Sequence, residues 1–165
     1  MLLQNDSAEA RLLELNLVLP EPTKPAANYV TAVQAAGLVF MAGQGPLSDG
    51  QIRFAGKIGS DLSEEDGYQA SRLTALNLLA NLRQELGSLD RVTRVVKLMA
   101  WVNSAPGFQR QHVVVDGASD LIMAVFGERG RHARSAVSSN ELPFGIAVEI
   151  EMIVACSAEV PAPNA

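Results

Sequence analysis

Apolar positions follow two rhythms along this chain. Leu73, Leu76, Leu79, Leu82 and Leu86 recur at spacings of three and four, which gives one apolar face of a helix. Val148, Ile150, Met152 and Val154 instead alternate with Ala147, Glu149, Glu151 and Ile153, the period of a half-buried strand. The helix has a start signal in Ser63-Glu64-Glu65-Asp66 and a stop at Gly87: a hydroxyl cap, acids at the positive dipole end, and a residue free to turn left-handed. The strand extends over residues 146–155.

The remaining pattern fills in around these two elements. Residues 5–16 predict a short helix capped by Ser7. Residues 19–25 form a linker, because Pro20, Pro22 and Pro25 remove backbone donors and enforce extended geometry. Strands are expected at 29–36 and 38–42 on either side of Gly37, and at 51–55 after an Asp49-Gly50 turn. A long strand follows at 92–102. Pro106 should open a second helix that runs to about Phe126, with Gly117 as a point where it could break. A turn at 127–130 leads into a strand at 132–138, and Leu142-Pro143 marks a loop before the final strand.

This order places two helices over one face of a mixed sheet, an α+β two-layer sandwich. The expected division is an N-terminal helix and linker over 1–27, one domain over 28–157, and a tail over 158–165.

Composition narrows the function. A length of 165 residues fits one domain, and 48% hydrophobic with 19% charged residues excludes a disordered chain. The formal charge of −5 argues against a nucleic-acid partner. One cysteine, Cys156, excludes an internal disulfide framework, and with only two histidines a Cys/His metal site lacks ligands. No cofactor is expected. The first residues lack the basic and apolar regions of a secretory signal, and no stretch approaches the roughly 20 apolar residues of a membrane span. A cytoplasmic protein is the expectation.

Several familiar motifs fail on inspection. Gly43-Gln44-Gly45-Pro46 lacks the third glycine and the following helix of a dinucleotide fingerprint, and Gly56-Lys57-Ile58 lacks the hydroxyl of a phosphate loop. Cys156 has no basic neighbour to activate it.

Two other features carry chemistry. In the basic run 129–134, His132 and Arg134 should point to one side of their strand. Arg134 enters an apolar strand, where its guanidinium requires an anion: either a substrate carboxylate or an internal acid, and the residues alone leave both open. Glu149 and Glu151 share the strand face opposite Val148 and Ile150. That face is either solvent-facing or a cleft in which one glutamate acts as a general base. Its mixture of acids with Ala147 and Ile153 also suits contact with another subunit.

With these residues in hand, the chain resembles the RidA/YjgF family, also labelled endoribonuclease L-PSP. The resemblance is carried by Asn28-Tyr29-Val30, Gly43-Gln44-Gly45-Pro46, Leu89-Asp90-Arg91-Val92, Phe108 after Pro106-Gly107, Arg134-Ser135-Ala136-Val137, Leu142-Pro143 and Val148-Glu149-Ile150-Glu151. The N-terminal helix and residues 117–121 look like a longer subgroup.

The resemblance implies a chorismate-mutase-like homotrimer with clefts between neighbouring sheets. It further implies hydrolysis of reactive 2-enamino or 2-imino acids to 2-keto acids and ammonia. On that resemblance Arg134 would clamp the substrate carboxylate, Glu149 would activate water, Tyr29 would line the pocket and Gly43 would form its floor. His112 falls where active members carry asparagine. Ala136 and Ala42 replace a common cysteine and a common serine or threonine, although backbone groups at 136 could still meet substrate. A trimer that binds small carboxylates or partner proteins without catalysis is the alternative. An endoribonuclease is the third reading, which the acidic balance and the lack of an aromatic stacking stripe oppose.

Overall fold

The computed structural model describes residues 7–157. Two of the expected pieces, the start of the first helix at residues 5 and 6 and the tail over 158–165, lie outside them. The first helix, α1 (Ala8–Glu14), is capped by Ser7, whose Oγ accepts from the Ala10 amide and donates to Asp90. Asp90 also accepts from the amide of Ala8, so the positive end of this short helix sits on a carboxylate. Ala8, Leu12 and Leu19 belong to the same buried cluster as the sheet and the longer helices.

A strand order of β1-β2-β7-β5-β6 defines the main sheet. Its members are β1 (Ala32–Ala35), β2 (Leu38–Gln44), β5 (Val92–Asn103), β6 (Ala133–Ser139) and β7 (Val148–Cys156). Only the β5–β6 pair is parallel. It is joined by α3 (Gln111–Phe126), the crossover that parallel neighbours require. A small hairpin, β3 (Leu47–Ser48) and β4 (Gln51–Ile52), turns at Asp49 and Gly50. Both turn residues have positive φ (55° and 72°), the turn that matches strand twist. The third expected strand is therefore shorter than residues 51–55, and the first begins at Ala32, leaving Tyr29 ahead of it.

The other long helix, α2 (Glu64–Leu86), starts with a reciprocal capping box between Ser63 and Asp66 and stops at Gly87 with φ of 78°. It packs with α3 on one face of the sheet. Val148, Ile150, Met152 and Val154 of β7 and Leu98, Ala100 and Val102 of β5 are buried beneath the pair. The α+β two-layer architecture expected from the patterning is the one found.

Pro106 does not open α3. Residues 104–110 form a turn in which Gly107 takes φ of 83°, outside the helical region, so the helix waits until Gln111. Gly117 does not break α3 either. A Cβ there would run into the carbonyl of Tyr68 on α2, so this glycine lets the two helix backbones approach closely.

The register of the sheet decides which side chains share a face. Arg134 pairs with Leu98 and Leu98 with Met152, all on the helix side. Val137 pairs with Trp101 and Trp101 with Glu149 on the other side. That uncovered side also displays Val33, Phe40 and Val137, each more than 40% exposed. Among the described residues, no helix is long and apolar enough to cross a membrane.

Gly117→Ala should lower stability by about 2 kcal/mol or more, since the added methyl meets backbone and not a yielding side chain. Urea unfolding of the two proteins checks this, and an unchanged midpoint would show that the helices do not pack as described.

Candidate functional site

The site grows from an irregularity in β2. Its register against β7 shifts between Met41 and Gln44, a bulge that places Gly43 against β7. A Cβ on Gly43 would collide with the Glu149 carboxylate. The missing side chain therefore makes the space in which that carboxylate lies. Among the described residues Glu149 has neither a hydrogen-bond donor nor an ion-pair partner.

Its electrostatics follow from this placement. Burial raises the Glu149 pKa above its ordinary value of 4.5, and the charge of Glu151 two residues on raises it further. Burial also raises Glu151. Glu149 is thus a half-buried carboxyl whose ionised form lacks compensation, the condition under which a glutamate becomes a useful base.

A cavity of about 340 Å³ opens beside it. It is lined by Gly43, Gln44 and Gly45, by the apolar side chains of Leu47, Ile52 and Ile146, and by Tyr29. Phe144 stands at its border, 75% exposed and with φ of 58°, a strained setting for an aromatic residue.

The remaining boundary is the proline-flanked segment over 20–25. The Thr23 hydroxyl donates to Gln44 Oε1 at 2.6 Å and accepts from Asn81 Nδ2 at 2.9 Å. Gln44 and Asn81 are both buried, so this strap is fastened to the core at one threonine. The next residue, Lys24, lines the cavity, and among the described residues it and Glu149 are the only charged ones that do so.

Of the six residues the resemblance points to, the structure gathers three. Tyr29, Gly43 and Glu149 meet at this cavity. Arg134, Ala136 and His112 lie elsewhere, on the helix side of the sheet. Arg134 donates to Asp116 Oδ1, Ser119 Oγ and the His112 carbonyl, each at 2.9 Å. Of the two anions left open for this guanidinium, the structure provides the internal one. Ala136 pairs with Ala100 under the helices, and His112 is an exposed residue on the first turn of α3. Arg134 and Glu149 therefore do not share a cleft within one chain.

His132 does point the same way as Arg134. Its Nε2 meets Ser119 Oγ at 3.0 Å and its Nδ1 meets the Gly130 carbonyl at 2.6 Å. Since a carbonyl only accepts, the proton sits on Nδ1 and Nε2 accepts from the serine. Burial lowers the His132 pKa, keeping the ring neutral. The cluster reads as a polar seam that holds α3 to β6.

Sequence reasoning missed Thr23, Lys24, Gln44 and Phe144 at the cavity, and Asp116 with Ser119 as partners of Arg134. The acid and hydroxyl three residues apart on a helix were the available signal for the last two. Among the described residues no group of three His, Cys, Asp or Glu side chains could hold a metal ion.

Comparison with known proteins adds the relatives of this arrangement. Residues 9–154 match the family described as "YjgF/chorismate_mutase-like, putative endoribonuclease". Protein TCP17 of Trypanosoma cruzi is 45% identical over 146 residues, covering 88% of this chain and 91% of that protein. A solved protein of unknown function from Agrobacterium tumefaciens is 42% identical with a TM-score of 0.85, over 91% of this chain and 92% of its own. A solved structure from Shewanella oneidensis, described as a putative endoribonuclease, is 30% identical with a TM-score of 0.88, over 90% of this chain and 99% of its own.

The raised Glu149 pKa has a consequence for stability. The folded protein holds this proton more tightly than the unfolded chain, so the Glu149 contribution weakens as pH rises from 4.5 through the folded value. Glu149→Gln removes the ionisation, and should be more stable than wild type at about pH 7 while losing that part of the pH dependence. Thermal unfolding between about pH 4 and 7 measures both effects, and a variant less stable than wild type at neutral pH would speak against an uncompensated carboxylate.

Proposed function

The chain belongs to the YjgF/chorismate-mutase-like family, and from that premise we propose that its Glu149 cavity hydrolyses reactive 2-enamino or 2-imino acids to 2-keto acids and ammonia. The observation that carries the proposal is the Glu149 carboxylate itself: half-buried, unpaired among the described residues, raised in pKa and aimed into a cavity of small-molecule size.

The chemistry asks little beyond a positioned base. An iminium carbon is already electrophilic. Glu149 takes a proton from a water molecule as the water oxygen bonds to that carbon, giving a carbinolamine. The protonated Glu149 then passes its proton to the amino nitrogen. The C–N bond breaks as the oxygen lone pair forms the carbonyl, ammonia leaves, and the hydroxyl proton returns to the glutamate. Another proton exchange with the departing ammonia yields ammonium and restores the carboxylate. Holding the water and the imine together converts a slow encounter into an intramolecular step.

Arg134 is fastened to α3 and serves the packing of β6, so it does not reach Glu149 within one chain. The protein assembles, in this proposal, as a homotrimer through the uncovered sheet face, where Val33, Phe40 and Val137 are exposed alongside Trp101. A polynucleotide substrate finds little support: the cavity balances one lysine against one glutamate, and the chain carries a formal charge of −5.

Wild type should accelerate conversion of a 2-imino acid generated in situ, followed by the appearance of the 2-keto acid. Glu149→Gln should lose roughly 100-fold or more of that rate. If wild type binds 2-keto acids without speeding imine decay, the protein is a binding member of the family and the hydrolytic proposal fails. Sedimentation should give a species of three times the 17.5 kDa chain mass; a 17.5 kDa species would remove the trimer.

A further inference from the structure

We infer that the proline strap over residues 20–25 is a lid on the Glu149 cavity, and that the Thr23 hydroxyl is the latch that holds it shut. The inference concerns access to the cavity and stands apart from the reaction assigned to it.

The argument begins with how little holds the strap. Among the described residues, no backbone N–H or C=O of residues 18–25 takes part in a hydrogen bond, and the polar tie of the strap to the core is Thr23 alone. Its two ends are fixed: Leu19 ahead of it is buried in the core cluster, and behind it the Thr31 carbonyl accepts from the Ala42 amide. Pro20, Pro22 and Pro25 stiffen what lies between, so that it moves as one piece. Room to move is present on two sides. Thr23 and Lys24 line the Glu149 cavity, a second cavity of about 540 Å³ toward Gln84 and Glu85 of α2, and a third of about 480 Å³ toward Ser48 and Asp49 of the small hairpin. Lifting the strap joins these spaces and opens the Glu149 cavity to solvent.

The polarity of the latch follows from its partners. Asn81 Nδ2 donates to the Asn77 carbonyl and to Thr23 Oγ1, each at 2.9 Å. A carbonyl only accepts, so the nitrogen of this amide is the end that faces Asn77 and Thr23. With its oxygen accepting from Asn81, the Thr23 hydroxyl gives its one proton to Gln44 Oε1 at 2.6 Å. One hydroxyl thus serves two buried amides, and a valine of the same shape would serve neither. The closed latch also carries a cost. Asn81 Oδ1 is buried and, among the described residues, has no hydrogen-bond partner. Opening admits water to that oxygen and to the two amides the latch had joined. The closed strap gains two hydrogen bonds and orphans one acceptor, a balance small enough for local opening without unfolding.

Hydrogen exchange of the Asn81 side-chain amide, followed by NMR in the full-length protein, tests the lid. In wild type its protons should exchange roughly 100-fold or more faster than the slowest backbone amides of α2, at a rate that low urea leaves unchanged, because local opening exposes them. Thr23→Val should speed this exchange by roughly tenfold or more relative to the same α2 amides. Thr23→Ser, which keeps the hydroxyl, should return it to the wild-type rate. The same opening hydrates Glu149, so its apparent pKa should lie closer to 4.5 in Thr23→Val than in wild type. Asn81 protons that exchange only with global unfolding overturn the lid, and wild-type exchange in folded Thr23→Val overturns the latch. Neither result bears on imine hydrolysis, which is read from the 2-keto acid product.

Discussion

Everything at this site depends on a carboxylate that lies against a glycine. The β2 bulge and the missing Cβ of Gly43 let Glu149 lie down on the neighbouring strand, where burial and Glu151 both oppose its ionisation. An alanine at 43 would push the carboxylate out of that position. Some partly buried charges of this protein are met with partners, as Arg134 is by Asp116 and Lys57 by Glu141 and Asn103. Glu149 is left without one among the described residues, and a domain tolerates such a cost where it serves a reaction.

The two-layer architecture then divides the chemistry. Helices α2 and α3 cover one side of the sheet, so a strand residue belongs either to the packed seam or to the open face. Arg134 and His132 fall in the seam, with Ser119 and Asp116 supplied by α3. Glu149 and Glu151 fall on the open face. The cavity forms at the end of β2, where Thr23 and Lys24 of the strap and Pro143 and Phe144 of the following turn also line it. The strap, the β2 bulge and the turn over 143–145 thereby meet at the same edge of the sheet from segments far apart in the chain.

Much of this was legible in the residues. The alternation over β7 set Glu149 apart from the core strand face, and the capping box and Gly87 bounded α2. Gly43 and Tyr29 were found through the family resemblance, and both line the cavity. Less legible was whatever depends on long-range packing. Whether Arg134 would meet an internal acid turned on which face of β6 lies beneath α3, and that is fixed only when α3 is docked. Gly117 read as a break because its value lies in the close approach of Tyr68, a residue almost 50 positions away in the chain. The strap read as a linker, since its proline content describes backbone stiffness and says nothing of the buried amides that capture Thr23.

The most direct test of the account is the titration of Glu149 itself, followed by the ¹³C shift of its carboxyl carbon and assigned by comparison with Glu149→Gln. An apparent pKa clearly above 4.5, rising in Gly43-intact protein and responsive to occupation of the cavity by a 2-keto acid, is the result expected. A carboxyl that titrates at or below 4.5 and ignores the ligand would mean that Glu149 is an ordinary surface acid, and the proposed chemistry would have no base.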